Sequence, residues 1–298
     1  MAISEKTKDK IIDIIVYVIL FLIGFATLYP FWYCIVISLN EGVDAAKGGI
    51  YFWPRKWSFA NYQFIFTSSR TLLAIFNSVA RTVIGTVLHV IFTGFAAYGL
   101  SKRHIMGRKI YMLYFIFTMY FGGGLIPYYM LLRDLHLLDT FLVYVIPSMW
   151  SFYHAILYMA YYDSIPDSLE EAALIDGAGP VRVFFTIIIP TSVPIVATIA
   201  LYAGVAQWSS WFDTAIYTSS PKLVTLQAIM TQMVRSAEAL QEMNKMMAEA
   251  GMTTGFATIK PITIRVATMV FTTFPIVVIY PFLQKYFVKG IMLGSVKG

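Results

Sequence analysis

The chain has 298 residues, of which 58% are hydrophobic and 13% are charged, and its net charge at pH 7 is +6. With a mean hydropathy of +0.70, this composition excludes an ordinary soluble protein and indicates an integral membrane protein. The basic residues lie at the edges of apolar runs and form no stripe with interleaved aromatic residues, so we expect a lipid bilayer, and not nucleic acid, as a partner.

Six apolar runs follow one another along the chain, and each is long enough to cross a hydrocarbon layer about 30 Å thick. The runs lie at about 11–39, 73–100, 109–131, 140–162, 187–207 and 263–288. Backbone polar groups must be satisfied within lipid, and continuous runs of this length favour helices over the alternating strands of a barrel. Prolines within the runs are expected to kink or end helices, at Pro127, Pro190, Pro194, Pro275 and Pro281. The predicted fold is all-α, with a ten-residue N-terminal segment, 1–10, followed by one transmembrane domain, 11–298.

The orientation is predicted from the short loop at 101–109, which contains no acid and four basic residues, Lys102, Arg103, Arg108 and Lys109. The positive-inside rule places this loop in the cytoplasm. With six spans, both termini and the polar loop at 163–186 are then expected in the cytoplasm as well. The longer segments at 40–72 and 208–262 are expected outside.

The two outer segments have distinct compositions. The aromatic residues of "IYFWPRKWSFANYQFIF" favour a belt at the membrane interface, with a partner-binding surface as the alternative. Within the second segment, the Met-rich stretch at 229–252 has helical spacing. It is expected to be either a lid packed on the bundle or an adaptable docking surface.

The loop at 163–186 contains "SIPDSLEEAALIDGAGP", which predicts a short helix with marked ends. Asp167 or Ser168 can cap its N-terminus, because each has a glutamate three residues later that would complete a capping box. Gly177 can adopt the left-handed conformation that ends a helix, and Pro180 can begin the next helix at its first position.

Two alanines, Ala172 and Ala173, are expected to form a flat patch on this short helix, where another surface can approach closely. From composition alone, the alternative is a helix that lies on the membrane surface. The residue pattern of the loop favours a helix that docks on another protein surface over one that lies on the membrane.

The triplet at 171–173, Gly177 after three further residues, and "IIIP" ending at Pro190 resemble the EAA signature of binding-protein-dependent ABC importer permeases. Ile189 stands where leucine is usual. In that family this loop forms a coupling helix that docks in a groove of the cytoplasmic ATPase. The coupling residues that the resemblance implies are Glu170, Glu171, Ala172, Ala173, Asp176, Gly177 and Pro190.

Other segments, among them "FGGGLIP" and the tail "LQKYFVKGIMLGSVKG", resemble the carbohydrate-uptake branch of these permeases, of the maltose-permease type, and within it importers of complex oligosaccharides such as alginate. The resemblance implies a type I importer fold of the MetI-like kind in a bacterial cytoplasmic membrane. It also implies a heterodimer with a sister permease, two ATPase subunits, an extracytoplasmic solute-binding protein and a carbohydrate cargo. No P-loop motif occurs, so ATP and magnesium are expected on the ATPase, and this chain is not expected to be an enzyme.

The translocation path is expected to use aromatic faces and hydrogen-bonding side chains, because these groups hold sugars. The candidates are Trp150, Tyr153, His154, Tyr158, Gln207 and Trp208, each with core packing or interfacial anchoring as the alternative. His89 and His154 are expected to be hydrogen-bonded interior groups and not metal ligands. Arg81 and Arg265 are expected to extend toward the outer interface.

Other functions are less well supported. No Asp or Glu lies deep within a predicted span, which argues against a proton-coupled secondary carrier or channel. A membrane enzyme is disfavoured because no catalytic motif was found. Within the importer class, an acidic saccharide, a polyol or another solute stays open as the cargo.

Overall fold

The computed structural model describes residues 5–236 and 261–294. All named elements in these ranges are helical, and the one β interaction among them is an isolated bridge between Asn40 and Trp57. The prediction of an all-α fold is confirmed. Most of the predicted Met-rich segment, residues 237–252, lies outside the described residues.

The helices are numbered in chain order. They are α1 (Glu5–Ser38), α2 (Gly42–Ala45), α3 (Ala60–Thr67), α4 (Ser69–Ser101), α5 (Arg108–Tyr120), α6 (Leu125–Asp134), α7 (Leu142–Val145), α8 (Phe152–Tyr162), α9 (Asp167–Ile175), α10 (Pro180–Val183), α11 (Ile189–Thr191), α12 (Val193–Ser209), α13 (Phe212–Tyr217), α14 (226–236) and α15 (Pro261–Gly294). A 3₁₀ turn, Ile146–Ser148, extends α7, and a π-helical turn, Phe184–Ile188, joins α10 to α11.

Within residues 5–236 and 261–294, three single helices are long and apolar enough to cross a membrane, within α1, α4 and α15. The other three predicted runs are bent pairs: α5 with α6 at 114°, α7 with α8 at 48°, and the helical stretch from Pro180 to Thr191 with α12 at 89°. Each pair together is apolar enough for one span, so the six predicted runs correspond, in the described part of the chain, to three single helices and three bent pairs.

The bends have local causes. Between α5 and α6 the chain passes through three glycines, and Gly124 has a φ of +82°, which a helix cannot contain. This break precedes Pro127, where a kink was predicted. The 89° bend lies at Ser192, between the predicted breaks at Pro190 and Pro194, and prolines at these positions remove backbone donors. Two further predicted breaks, Pro275 and Pro281, instead lie within the continuous helix α15.

The chain divides into two compact units, the first formed by residues 1–69 and 232–274. Its α1 is followed by a loop whose aromatic residues are largely exposed, Tyr51, Phe52, Trp53, Trp57 and Phe59. Trp32 of α1 donates its indole N–H to the Phe52 carbonyl over 3.0 Å, and its ring meets that of Trp53 edge-on at 5.6 Å. These contacts hold the aromatic loop beside an apolar helix, the placement that an interfacial belt requires.

A polar cluster fixes the start of the same loop. Asp44 accepts hydrogen bonds from Asn40 Nδ2 at 3.1 Å and from Arg55 Nε at 3.0 Å. The Asn40 hydrogen bond and the Arg55 guanidinium lower the pKa of Asp44 below its ordinary value. The carboxylate therefore stays ionised at neutral pH, and Arg55 can also bind the carbonyls of Asp44 and Gly48.

The second unit, residues 70–231 and 275–298, contains the main core. One cluster joins α4, α8, α10, the π-helical turn and α12, and its buried members are Ala97, Tyr98, Phe152, Ala155, Tyr158, Met159, Tyr162, Val183, Phe184, Ile188 and Ile199. Ala173 of α9 packs against this cluster. The core thus supports one side of α9, the helix that the sequence singled out.

Candidate functional site

Helix α9 begins at Asp167, one of the two residues that were predicted to cap it. Pro166 occupies the N-cap position, with φ −60° and ψ 128°, and Asp167 is the first helical residue. No side chain in the described part of the chain caps this end, so the predicted capping box at Asp167 or Ser168 is wrong. Pro166 is already held in the extended conformation that an N-cap requires, and Asp167 and Glu170 instead place negative charge in the first turn.

The other end of α9 is built as predicted. Gly177 has a φ of +80°, its N–H bonds the Leu174 carbonyl at 3.0 Å, and the Ala178 N–H bonds the Ala173 carbonyl at 2.9 Å. This pair of bonds is a Schellman motif, which glycine favours because it carries no Cβ. Pro180 is the first residue of α10, as predicted.

Glu170 is bound within the chain. Its carboxylate accepts a hydrogen bond from the Tyr98 hydroxyl at 2.7 Å and forms an ion pair with Lys102, whose ammonium lies 4.5 Å from the centre of the Tyr98 ring. Tyr98 lies in the last turn of α4, and Lys102 directly follows that helix. The three side chains therefore tie α9 to the end of α4.

Another face of α9 makes no such contact with the described residues. It presents Glu171, Ala172 and Ile175, all exposed, the last with 86% of its surface accessible. Leu174 is exposed as well, but it lies one turn after Glu170 on the same face. Ala173 is turned toward the core, so the predicted flat patch of two alanines is wrong. Outward exposure of apolar side chains on a short polar helix is typical of a docking surface. Of the other predicted coupling residues, Asp176 and Pro190 are exposed.

The link between α9 and α4 can be tested by charge exchange. We expect Lys102→Glu to lower the transport that the sequence resemblance implies by about fivefold to thirtyfold, since a partly buried ion pair is worth about 1–2 kcal/mol, between exposed and buried pairs. The double variant Lys102→Glu/Glu170→Lys restores the attraction and should recover most of the activity. Uptake in vesicles measures both, with the amount of membrane-inserted protein as the control. If the double variant takes up no more substrate than the single variant, the ion pair between Lys102 and Glu170 has no positioning role.

A second feature is a cavity of about 320 Å³ in the same unit, which we call the polar cavity because eight of its eleven lining residues are polar, although most of the surface that they expose to it is apolar. Its volume lies at the lower end of the range of about 300–1,000 Å³ that is usual for ligand sites. Of the predicted path residues, Trp150, His154 and Gln207 line it. The polar side chains that were not predicted are Arg81, His89, Ser148, Ser151, Ser210 and Asp213.

The other three predicted path residues lie elsewhere. Tyr153 is 55% exposed and is not among the residues that line the cavity. Tyr158 is completely buried in the main core, and its hydroxyl has no partner in the described part of the chain. Trp208 lines a separate apolar pocket of about 430 Å³, together with Pro275 and Ile279.

Arg81 is buried and does not extend to an interface. Its Nε and Nη2 atoms donate to Gln207 Oε1 at 3.0 and 2.9 Å, and Nη2 also meets Asp213 Oδ2 at 2.5 Å. The ring of Tyr144 lies 4.5 Å from the guanidinium carbon. The predicted extension of Arg81 toward the interface is wrong because internal partners satisfy its charge. For Arg265, the Nε atom is buried without a partner among the described residues.

His89 and His154 form a hydrogen-bonded interior pair, which confirms their predicted character. Their nearest nitrogens are 2.7 Å apart, and His89 Nδ1 lies 2.5 Å from the Ser148 carbonyl oxygen. The Ser148 hydroxyl in turn accepts a bond from Gln207 Nε2 at 2.5 Å, which joins the histidine pair to the arginine network. The described residues contain no group of three or more metal-ligating side chains.

Comparison with known proteins identifies the class. The family model "binding-protein-dependent transport system inner membrane component" matches residues 2–293. The chain is 32% identical over 293 residues to the Bacillus subtilis polygalacturonan/rhamnogalacturonan transport system permease protein YtcP, covering 98% of this chain and 100% of that protein. It is 34% identical to protein LplC of the same organism, covering 94% of this chain and 93% of LplC.

A solved structure agrees with these relatives. It is that of a bacterial ABC transporter involved in the import of the acidic polysaccharide alginate, and one of its chains superimposes with a TM-score of 0.83 at 28% identity. The match covers 96% of this chain and 99% of that one. The helical architecture and these matches together show that the chain belongs to the binding-protein-dependent transport system inner membrane component family and is a permease subunit of an ABC importer.

Proposed function

We propose that this subunit forms, with a sister permease, the path by which an oligosaccharide delivered by an extracytoplasmic solute-binding protein enters the cell. Two ATPase subunits, which bind ATP and magnesium, drive the transport. The observation that carries the proposal is the construction of α9. Its inner side is fixed by Ala173 and Glu170, whereas its outer side exposes Glu171 and Ile175 to a partner.

The cytoplasmic ATPase is the proposed partner of this exposed face. An apolar side chain that is 86% exposed, Ile175, loses unfavourable contact with water when another protein covers it. Glu171 lies next to the exposed Ala172 and can pair with a basic group of the ATPase. Glu170 acts differently, because its bonds to Tyr98 and Lys102 position the helix.

Carbohydrate is the proposed cargo for two reasons. YtcP and the importer of known structure are both named for polysaccharides. The polar cavity also combines an indole ring, Trp150, with hydrogen-bonding groups such as Ser151 and His154, which suits the mixed apolar and hydroxylated surface of a sugar. An acidic saccharide is the second candidate cargo, favoured by the names of these same proteins.

Uptake by reconstituted vesicles tests the proposal. Vesicles that contain both permeases and the ATPase should take up labelled oligosaccharide only when ATP is inside and the binding protein is outside. Omission of any one component should abolish uptake. Uptake by this chain alone would identify a self-contained carrier and contradict the proposal.

The proposed orientation and docking face can be tested with single cysteines. Cys34 is the one cysteine of the chain, so Cys34→Ser gives a cysteine-free background. In it, Ile175→Cys should react with a membrane-impermeant maleimide only in inside-out vesicles, and assembly with the ATPase should slow this reaction. The matched control is Leu135→Cys at the end of α6, where the leucine is 56% exposed. This cysteine should react only in right-side-out vesicles, and assembly with the ATPase should not change its reaction rate. The opposite labelling pattern would contradict the orientation.

A further inference from the structure

The polar cavity contains a positive charge that no ligand can readily reach. Among the described residues that line it, Arg81 is the one Lys or Arg, and the side chain is 2% exposed. A guanidinium has five N–H groups. Four of those of Arg81 are bonded, two to Gln207 Oε1, one to Asp213 Oδ2 and one to the Ser210 carbonyl. Its charge is neutralised by Asp213 and enclosed by its partners.

The histidine pair contributes a hydrogen-bond acceptor. The Ser148 carbonyl can only accept, so His89 Nδ1 carries the proton of that bond. In the neutral ring, His89 Nε2 then accepts from His154 Nδ1. The neutral His154 ring is left with a lone pair on Nε2, which no donor among the described residues occupies. Because His154 lines the cavity, this lone pair can bind a ligand hydroxyl.

Asp213 contributes a second acceptor. Its Oδ2 atom receives Arg81 Nη2 and, at 2.9 Å, the Ser210 hydroxyl. No donor in the described ranges is bonded to Oδ1, and the side chain is 28% exposed. A hydroxyl can donate to Asp213 and to His154. A carboxylate has no proton to donate, and of the two paired charges it would meet the partly exposed Asp213 carboxylate and not the enclosed Arg81 guanidinium.

We propose that this cavity binds an uncharged sugar unit through its hydroxyl groups and disfavours a unit that bears a carboxylate. Trp150 supplies a surface for the apolar face of the ring, and the Ser151 hydroxyl supplies a neutral donor. The inference rests on the proposed carbohydrate path. Of the two candidate cargoes, it favours a neutral saccharide, or a mixed one whose neutral units occupy this cavity.

The test compares two labelled oligosaccharides of equal length, one neutral and one with a uronate in place of a neutral unit. Uptake of both is measured with the complete importer, and the ratio of acidic to neutral uptake is compared between wild type and variants. The binding protein is the same in every sample, so its own preference cancels. We expect Asp213→Asn to raise the ratio by about tenfold, because the Arg81 charge is then no longer neutralised.

The matched control is Asp134→Asn, which removes an acid whose side chain is 64% exposed and that does not line the cavity. Its ratio should equal that of the wild type. An unchanged ratio in an assembled Asp213→Asn importer would overturn the inference. If this variant fails to assemble, Arg81→Gln/Asp213→Asn removes both charges, and we expect the ratio of acidic to neutral uptake to rise, whatever the absolute uptake of the neutral sugar. Discrimination equal to that of the wild type would again overturn the inference.

The two levels of the proposal fail in different ways. In one outcome both sugars are taken up, but no cavity variant alters the ratio of acidic to neutral uptake. This outcome contradicts the proposed selectivity of the cavity and leaves the proposed carbohydrate path intact. A complete importer that takes up neither oligosaccharide, but does take up another class of solute, contradicts the proposed function and the selectivity together.

Discussion

Replacement of Gly177 by valine should reduce transport at least tenfold without reducing the amount of protein in the membrane. Gly177 has a φ of +80°, a conformation that costs a residue with a Cβ about 1–2 kcal/mol, and a β-branched residue more. The strain is relieved only if the turn after α9 changes, and this moves the exposed face of the helix. Uptake and the amount of inserted protein are measured on the same vesicles.

The chain provides a matched control two residues further on. Gly179 has a φ of −74°, and a Cβ added there meets no atom within 4 Å, so Gly179→Val should retain most of the activity. A Cβ at Gly177 likewise meets no atom within 4 Å, which assigns the expected effect to backbone conformation and not to crowding. Gly177→Asn should be nearly normal, because asparagine tolerates the left-handed region. Equal activity of the two valine variants would show that the turn has no role in coupling.

The second large effect is expected at Arg81. Arg81→Met should destabilise the assembled importer by about 3–5 kcal/mol, because it leaves the Asp213 carboxylate and the Gln207 carbonyl without their buried partner. The melting temperature of the solubilised complex measures this loss. Arg81→Met/Asp213→Leu should be more stable than the single variant, since both charges are then removed.

An exposed ion pair in the same unit serves as the control. Arg133 and Asp134 are 2.9 Å apart, but both side chains are more than half exposed. Water and salt screen such a pair, so Arg133→Met should barely alter the melting temperature. If Arg81→Met changed the melting temperature as little as Arg133→Met, the buried pair of Arg81 and Asp213 would not stabilise the importer.

The sequence predicted best those features whose causes lie within a few residues. The turn at Gly177 and the helix start at Pro180 follow from local backbone preferences, and both are confirmed. The prediction of the α9 cap was wrong for a local reason as well, because Pro166, and not Asp167 or Ser168, occupies the N-cap position. The bend between α5 and α6 was assigned to Pro127, although the glycines before it supply the permissive backbone.

The cavity was less predictable because its contacts join distant parts of the chain. Arg81 and Asp213 are 132 residues apart, and the predicted span ended at residue 207, so Asp213 was counted as part of an outer segment. His89 and His154 were both expected to be bonded inside, but their contact, across 65 residues, has no periodic signal. The bond between Tyr98 and Glu170 spans 72 residues and was missed, since Lys102 beside it had been interpreted only as a topological charge.

Helix α4 is continuous for 33 residues and contains no proline, unlike the three bent pairs. Near its end lies Tyr98, bonded to Glu170, and 17 residues earlier lies Arg81, about 25 Å away along the axis at 1.5 Å per residue. An unbroken helix of this length resists compression and sharp bending. A displacement of α9 that passes through Glu170 would therefore reach the cavity as a shift of the whole helix, and Arg81 and His89 would move together relative to Asp213 and His154.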